Sequence, residues 1–372
     1  MAGRLDRIAR GAEGGRGYVI FLEERGVFGA GVHAPYVIDC QPIVKNFLEL
    51  PAAWFFCVGN LCMLILFSRA IDYTTQAMSR LQLPQVDCVL PAAALLGESP
   101  VWCTVDKVLY WVDIKRPAVH RFHPATASCK TWPMEEEVTS IGLRQLGGAI
   151  VSLRSSLATF DFQTGEVAKL PGPIVHQPDM RFNDGRCDRR GRFWVGSLHE
   201  ARHPETASLY RFDPDGRHTE MVAGVTISNG LAWSLDNRTM YFADSWTRTI
   251  FSFNFDLDSG TLRDKKVFVQ LPEGAGVPDG ATVDAEGFLW SATFDGGCVT
   301  RYAPDGRIDR VIKMPVQRPT SCAFGGDDLS ILYVTSASMG LTEQQRIDAP
   351  LAGGLFAIDA GVKGLPEPRF AG

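Results

Sequence analysis

The sequence predicts an all-β protein, a six-bladed β-propeller with four-stranded blades, preceded by an unrelated N-terminal extension. Three observations carry this. From about residue 95 one pattern recurs six times at a period of about 40–50 residues, the length of a four-stranded blade. Gly, Asp, Asn and Pro punctuate the region every roughly 8–12 residues, an all-β signal. No helical periodicity interrupts it. An eight-stranded sandwich, the rival all-β reading, needs no such repeat.

Taken in chain order, the first element is the extension, expected over residues 1–80 and expected to be poorly structured or partly helical. It contains the apolar run WFFCVGNLCMLILF from Trp54 to Phe67. That run falls short of the roughly twenty residues that span a bilayer, and Gly59 and Asn60 interrupt it. It also begins too far into the chain for a cleavable signal peptide. The preferred reading is a native start at Met78, with residues 1–77 an upstream reading-frame extension. A membrane anchor through residues 54–67 is the alternative.

The propeller is expected over residues 88–372. Each repeat is a turn such as D-x-x-G, a short strand rich in aromatic and β-branched residues, and a second strand ending in a polar turn. The clearest copies are CDRRGRFWVGSL…ASLYRFDPDG (187–216) and VDAEGFLWSATF…CVTRYAPDG (283–306). Weaker copies begin near residues 104, 143, 234 and 326.

Composition narrows the function classes. The chain is 45% hydrophobic and 21% charged, as expected of a globular protein with a large core. A net charge of −5 supplies no basic field for nucleic acid or anionic membrane. The nine cysteines form no C-x-x-C pair, which argues against a disulfide framework or thiolate zinc site. Reduced thiols and a cytoplasmic location are expected.

Blades around an axis bring equivalent positions to one height in the central channel. Just before the expected inner strand, three repeats carry Asn or Asp followed by Gly or Asp-Gly: Asn183 in FNDG, Asn229 in SNG and Asp279 in PDG. Each stands five residues before Asp188, Ser234 and Asp284 respectively. Extending the register back reaches Glu98 in LLGESPVW, five before Cys103. Singly, these dipeptides read as turns. Jointly, they predict two carboxylates and two amides converging on the axis. Such oxygen donors suit a divalent cation such as Ca²⁺, Mg²⁺ or Mn²⁺, and two buried carboxylates repel each other without one.

At these residues the chain resembles the SMP-30/gluconolactonase/LRE family. LGESPVW, RFNDGRCDRRGRFWVGSL, SNGLAWS and PDGATVDAEGFLWSATFDGG carry the resemblance, over about residues 88–372. PLAGGLFAID and KKVFVQLPEG are closer to the bacterial sugar lactonases. The resemblance implies one divalent cation (Ca²⁺, Mg²⁺, Mn²⁺, Zn²⁺ or Fe²⁺) held by Glu98, Asn229 and Asp279, with Asn183 close by. It also implies substrate binding by Arg181 and Asn183, and hydrolysis of a small sugar lactone. No nucleic-acid or protein partner is implied. At one position the chain departs from the family. Seven residues before Tyr210, where the family often has an acid that binds sugar hydroxyls, stands His203, with Glu200 and Glu205 on either side.

Residues 199–203 spell His-Glu-Ala-Arg-His, the H-E-x-x-H form of a zinc protease. That chemistry needs a helix, and this copy lies between two predicted strands with Pro204 next. Loop residues at the channel mouth are the better reading, with His203 and Glu205 as candidate substrate contacts. No G-x-S-x-G elbow is present, and the D-P-D-G turns lack a calcium-loop ligand ladder.

The expected chemistry is lactone hydrolysis, with Asp279 both metal ligand and general base and Arg181 donating to substrate or oxyanion. Two alternatives stay open. One is another metal-assisted hydrolase on the same fold, acting on esters, phosphotriesters or non-sugar lactones. The other is a non-catalytic calcium-binding protein.

Overall fold

The structure is a computed structural model that describes residues 84–171 and 179–372, together with three strands of the N-terminal stretch. The chain divides into two units, Met1–Leu83 and Pro84–Gly372. In the first, Gly17–Val19, Ala53–Val58 and Leu61–Phe67 form one antiparallel sheet, and the apolar run falls on the last two. This described part is extended rather than helical. The remainder of that expectation, and a start at Met78, fall outside the described residues. No helix among the described residues is long and apolar enough to cross a membrane.

The second unit is the six-bladed propeller. Its six antiparallel sheets have four strands each, and strands follow chain order from the axis outward. The inner strands of blades one to six are Gly97–Cys103, Val138–Leu143, Met180–Cys187, Ser228–Trp233, Val277–Val283 and Pro319–Gly325. Blade six borrows its outermost strand from the start of the unit. Val86–Leu90 pairs with Leu355–Asp359, so first and last elements close the ring. This closure carries the propeller two residues further back than the expected start at 88.

The recurring turns have a common chemistry. Asp188 and Asp284 follow the inner strands of blades three and five, and each accepts from a tryptophan of the next strand, Trp194 and Trp290, at 2.8 Å. Gly191 and Gly287 close these turns at φ 74° and 88°, where a side chain would be strained. Asp113 and Asp244 end the second strands of blades one and four. Their carboxylates accept from the backbone of the connection entering the same blade, at Leu95 and Leu96 and at Thr226 and Ile227. Fully buried Trp111, Trp194, Trp290, Phe182, Phe242 and Phe324 fill the space within and between blades, where their large apolar area stabilises the stack. A short α-helix, Thr342-capped Glu343–Asp348, stands in the loop between the second and third strands of blade six.

Each inner strand carries one extra residue against its neighbour. Three steps oppose two in blades one, three, four, five and six, and two oppose one in blade two. The N-D-G, N-G and D-G sequences lie at these bulges, within the inner strands rather than before them, and they are not turns. The glycines are there because inner strands crowd at the axis. A Cβ on Gly280 would lie 2.0 Å from Ser321 Oγ, and one on Gly185 would lie 2.4 Å from Ser140 Oγ.

The strand pairing fixes the register at two points, the strand end and the bulge. Cys103, Cys187, Trp233 and Val283 are the equivalent inner-strand ends, opposite Val108, Phe193, Met240 and Leu289. Asn183, Asn229 and Asp279 each stand four residues before that end, but Glu98 stands five before it. Ser99 occupies the matching position, with φ 52° in the left-handed region at the bulge. Counted from the bulge instead, Glu98 is equivalent to Asn229, each the last paired residue before it. Each is followed by a left-handed residue, Ser99 at φ 52° and Gly230 at φ 63°, while Asn183 and Asp279 stand one residue further on.

Candidate active site

The inner strands begin at one end of the axis, and there the sequence-predicted residues gather. Glu98, Arg181, Asn183, Asn229 and Asp279 are all buried, between 5% and 8% exposed. Three of them, with one further side chain, form a continuous hydrogen-bonded chain across blades three, four and five. Arg181 Nη1 donates to Asn183 Oδ1 and to the Phe182 carbonyl, each at 2.8 Å. Asn183 Nδ2 donates to Asn229 Oδ1 at 2.7 Å and to the Ser228 carbonyl at 2.9 Å. Asn229 Nδ2 donates to Ser245 Oγ at 2.8 Å, and Ser245 Oγ donates to the Pro278 carbonyl at 2.6 Å.

These last bonds follow a rule repeated around the ring. The carbonyl just before Asn229 is held by Asn183 of the preceding blade, and the carbonyl just before Asp279 by Ser245. The carbonyl just before Glu98 accepts from Thr320 of blade six. Each of the three expected cation ligands thus follows a peptide anchored to the neighbouring blade, which fixes its height on the axis.

Electrostatics sets this cluster apart. Burial, with the Asp184 carboxylate adding to it, pushes the Glu98 carboxyl up to about 8, against the Ser99 N–H and Arg181. Burial and then Glu98 and Asp184 push Asp279 well above the usual carboxylate range, against the Gly280 N–H. Asp184 is raised by burial too, but its own surroundings oppose the rise. Arg186 and the N–H groups of Leu231, Gly230 and Gly185 lower it. The guanidinium whose charge opposes the rise of both Glu98 and Asp279 is Arg181, itself lowered by burial.

Buried acids therefore outnumber the one guanidinium that offsets them, so ionising them is costly, a cost that a bound cation would relieve. Among the described residues no group of three or more His, Cys, Asp or Glu stands at metal-ligating spacing. The donor set that fits is mixed: two carboxylates, Glu98 and Asp279, with amide oxygens from Asn229 and Asn183. Such a set of oxygens suits a hard divalent cation.

Arg181 Nε has no hydrogen-bond partner among the described residues, and its closest carboxylate oxygen is Glu200 Oε1 at 4.0 Å. Glu200 belongs to a ring of charges over this end. Lys115 pairs with Glu137 at 2.6 Å and Glu200 at 3.0 Å, and Arg154 pairs with the same two acids at 2.8 and 2.7 Å. Hydrogen bonding to Arg154 and Lys115 pulls the Glu200 carboxyl down to about 2.

The H-E-x-x-H residues are not on a helix. His199 ends a strand, Ala201 donates back to its Nδ1 at 3.1 Å, and the His199 and His203 rings stack at 4.2 Å. His203 and Glu205 are exposed in the loop that follows, and no hydrogen bond or ion pair joins either to Arg181, Asn183, Asn229 or Asp279. Sequence reasoning gave Asp184, inside FNDG, no role in the site, and it missed Ser245, Thr320 and the pairing of Lys115, Glu137 and Arg154 with Glu200. These sit in loops or beside the repeat positions, and no motif in a single chain marks them.

The comparisons agree with this architecture. Residues 96–338 match the model of the SMP-30/Gluconolactonase/LRE-like region. A 6-deoxy-6-sulfogluconolactonase of Pseudomonas putida is 40% identical over 289 residues, covering 77% of this chain and 98% of that protein. Regucalcin of Xenopus laevis is 35% identical over 295 residues, covering 77% and 99%. The crystal structure of a calcium-binding protein, regucalcin, from Agrobacterium tumefaciens superposes with a TM-score of 0.72 at 27% identity, covering 76% of this chain and 96% of that one. On this evidence the chain belongs to the SMP-30/gluconolactonase/LRE-like family.

Proposed function

We propose that this protein is a lactone hydrolase that opens a sugar lactone, an aldono-1,4- or 1,5-lactone, to its aldonic acid with the help of one divalent cation. The observation that carries the reading is the buried cluster at the axis. Two carboxyls that burial and neighbouring carboxylate charge, Asp184 for both and Glu98 for Asp279, hold above their usual range stand beside an arginine and two oriented amides. Neither a scaffold nor a plain core needs that arrangement. The sugar-lactonase relative at 40% identity supports the same substrate class.

Glu98, Asn229 and Asp279 would hold the cation, with Asn183 beside it. When bound, the cation supplies Lewis acidity toward the lactone carbonyl and lowers the pKa of an attacking water. Asp279 takes a proton from that water as its oxygen bonds to the carbonyl carbon. Arg181 donates to the oxygen on which charge develops, and its unpartnered Nε is a free donor for that purpose. Collapse of the adduct breaks the bond from the acyl carbon to the ring oxygen, and the proton held by Asp279 passes to that leaving oxygen. One water is consumed, and one hydroxyl and one carboxylic acid are formed. Asn183 Oδ1 accepts from Arg181 Nη1 and so holds the guanidinium in place. His203 and Glu205, in the loop beside Arg181, are candidate contacts to the sugar hydroxyls. Buried free thiols at Cys103, Cys187 and Cys322 fit a reducing compartment, and the cytoplasm is the proposed location.

The test is a pH-stat assay on glucono-, galactono-, xylono- and arabinonolactone and on 6-deoxy-6-sulfogluconolactone, run with and without chelator. Chelator-sensitive turnover of at least one sugar lactone is expected, and Asp279→Ala should abolish it. Turnover of aryl esters or phosphotriesters alone would replace the sugar reading. Cation binding without turnover of any of these would leave a non-catalytic protein.

A further inference from the structure

We propose that Ser245 is a positioning residue that sets which way the Asn229 amide faces and so keeps its oxygen available to the cation site. The proposal rests on the cation-site reading above.

Direction in this hydrogen-bonded chain follows from groups that can only accept. The Pro278 carbonyl is such a group, so the single hydroxyl proton of Ser245 is committed to it at 2.6 Å. Ser245 Oγ then meets Asn229 only as an acceptor, and the atom 2.8 Å away must be the nitrogen Nδ2. Oδ1 is thereby turned the other way, toward Asn183 Nδ2 at 2.7 Å. Asn183 is oriented by the same logic, since its Nδ2 also lies 2.9 Å from the Ser228 carbonyl. A reversed Asn229 would set nitrogen against nitrogen on one side. On the other it would offer Ser245 two acceptors for one proton. Amide nitrogen has no lone pair for a cation, so reversal removes a ligand.

Ser245 is 3% exposed and Asn229 5%, so both are held within the packed ring. Ser245 lies just beyond the second strand of blade four and reaches the peptide that precedes Asp279 in blade five. One hydroxyl therefore orients the Asn229 side chain and anchors the backbone beside Asp279.

The test measures Mn²⁺ binding to the full chain by titration calorimetry, for wild type, Ser245→Ala, Asn229→Asp and the double variant. A carboxylate presents oxygen whichever way it turns. Ser245→Ala should therefore weaken binding about 10- to 100-fold when residue 229 is Asn, the usual effect of losing an outer partner of a ligand. In the Asn229→Asp background, the same change should cost less than about 3-fold, so the two substitutions are non-additive. Thermal unfolding of the metal-free forms establishes that each variant is folded. Equal losses in both backgrounds would assign Ser245 a merely structural role and overturn the proposal, as would no loss in either. If the Asn229→Asp forms do not fold, Ser245→Thr and Ser245→Val decide, since they share a shape and differ in the hydroxyl. Binding kept by Thr and lost by Val supports the proposal, and equal affinities overturn it. Failure of wild type itself to bind Mn²⁺ would sink the cation-site reading and this proposal with it. Binding by wild type that Ser245→Ala leaves intact would sink the proposal alone.

Discussion

Asn183 Nδ2 lies 2.7 Å from Asn229 Oδ1 and 2.9 Å from the Ser228 carbonyl, so one amide joins the inner strands of blades three and four at the axis. Its other end accepts from Arg181 Nη1 at 2.8 Å. Asn183→Ala should thus have two separable effects. The Ser228 carbonyl, buried and without its donor, should cost about 1–3 kcal/mol of stability, seen as a lower thermal midpoint. Arg181, released from its partner, should lose its aim, and kcat/KM on a responsive lactone should fall by about 10²-fold. Unchanged kinetics alongside the lower midpoint would make Asn183 a purely structural brace.

The paired rise of Glu98 and Asp279 makes the metal-free protein sensitive to pH in a definite direction. Glu98 moves from an ordinary value of 4.5 to about 8 on folding, and Asp279 moves the same way. Between those values the folded chain holds protons that the unfolded chain has released. Its stability therefore falls as pH rises from about 4.5 toward 8, and Glu98 adds no further loss above that. A divalent cation competes with the same protons. The gain in thermal midpoint on adding Mn²⁺ or Ca²⁺ should accordingly be larger at pH 8 than at pH 5.5. Melting curves at the two values, with cation and with chelator, test this, and an equal gain at both would contradict it.

The repeat was legible because its chemistry recurs in the residues themselves. Asp188 with Trp194 and Asp284 with Trp290 build the same bond at the same spacing, and Gly191 and Gly287 end the same turn. Asn183, Asn229 and Asp279 were legible for the same reason, since each stands at one fixed distance from that turn. Glu98 lies in the inner strand as Asn229 does, last before a bulge, but the left-handed residue that follows it is Ser99 where blade four has Gly230, so the likeness of the two bulges leaves no mark in the letters. The closing strand Val86–Leu90 was missed as such because its partner, Leu355–Asp359, lies at the far end of the unit, a pairing that local pattern does not encode. Ser245 was invisible for a related reason. Its role comes from a carbonyl 33 residues away in the chain.

The H-E-x-x-H residues supply a negative test of the site assignment. His199 receives a hydrogen bond from Ala201, and its ring stacks on that of His203, so neither is posed as one of two ligands on a helix face. His199→Ala and His203→Ala should each retain a full equivalent of bound Mn²⁺ by calorimetry. His203→Ala should raise KM for a sugar lactone several-fold, with kcat little changed, if that ring meets the sugar. Loss of bound metal in either variant would move the cation from the axis to this loop.

The ring closure predicts where the propeller can begin. Leu355, Phe356, Ala357 and Ile358 find their outer partners in Leu90, Cys88, Asp87 and Val86. Without those partners the third strand of blade six becomes an exposed edge with unpaired backbone groups, a template for association. Its sheet keeps three strands, while the ring loses its shared strand and keeps, between its two ends, the Leu96–Ala337 bridge and the bond from Thr320 to the Gly97 carbonyl. A chain started at Met78 retains every residue of that pairing and should fold as a propeller with undiminished lactonase activity. A chain started at Ala92 removes Val86–Leu90 entire. It should be less stable by several kcal/mol, on the order of what several buried apolar side chains and backbone hydrogen bonds contribute, and should aggregate on heating. Denaturant unfolding and light scattering of the two chains measure the difference. Equal stability would show that the ring is held by blade-to-blade packing without the shared strand.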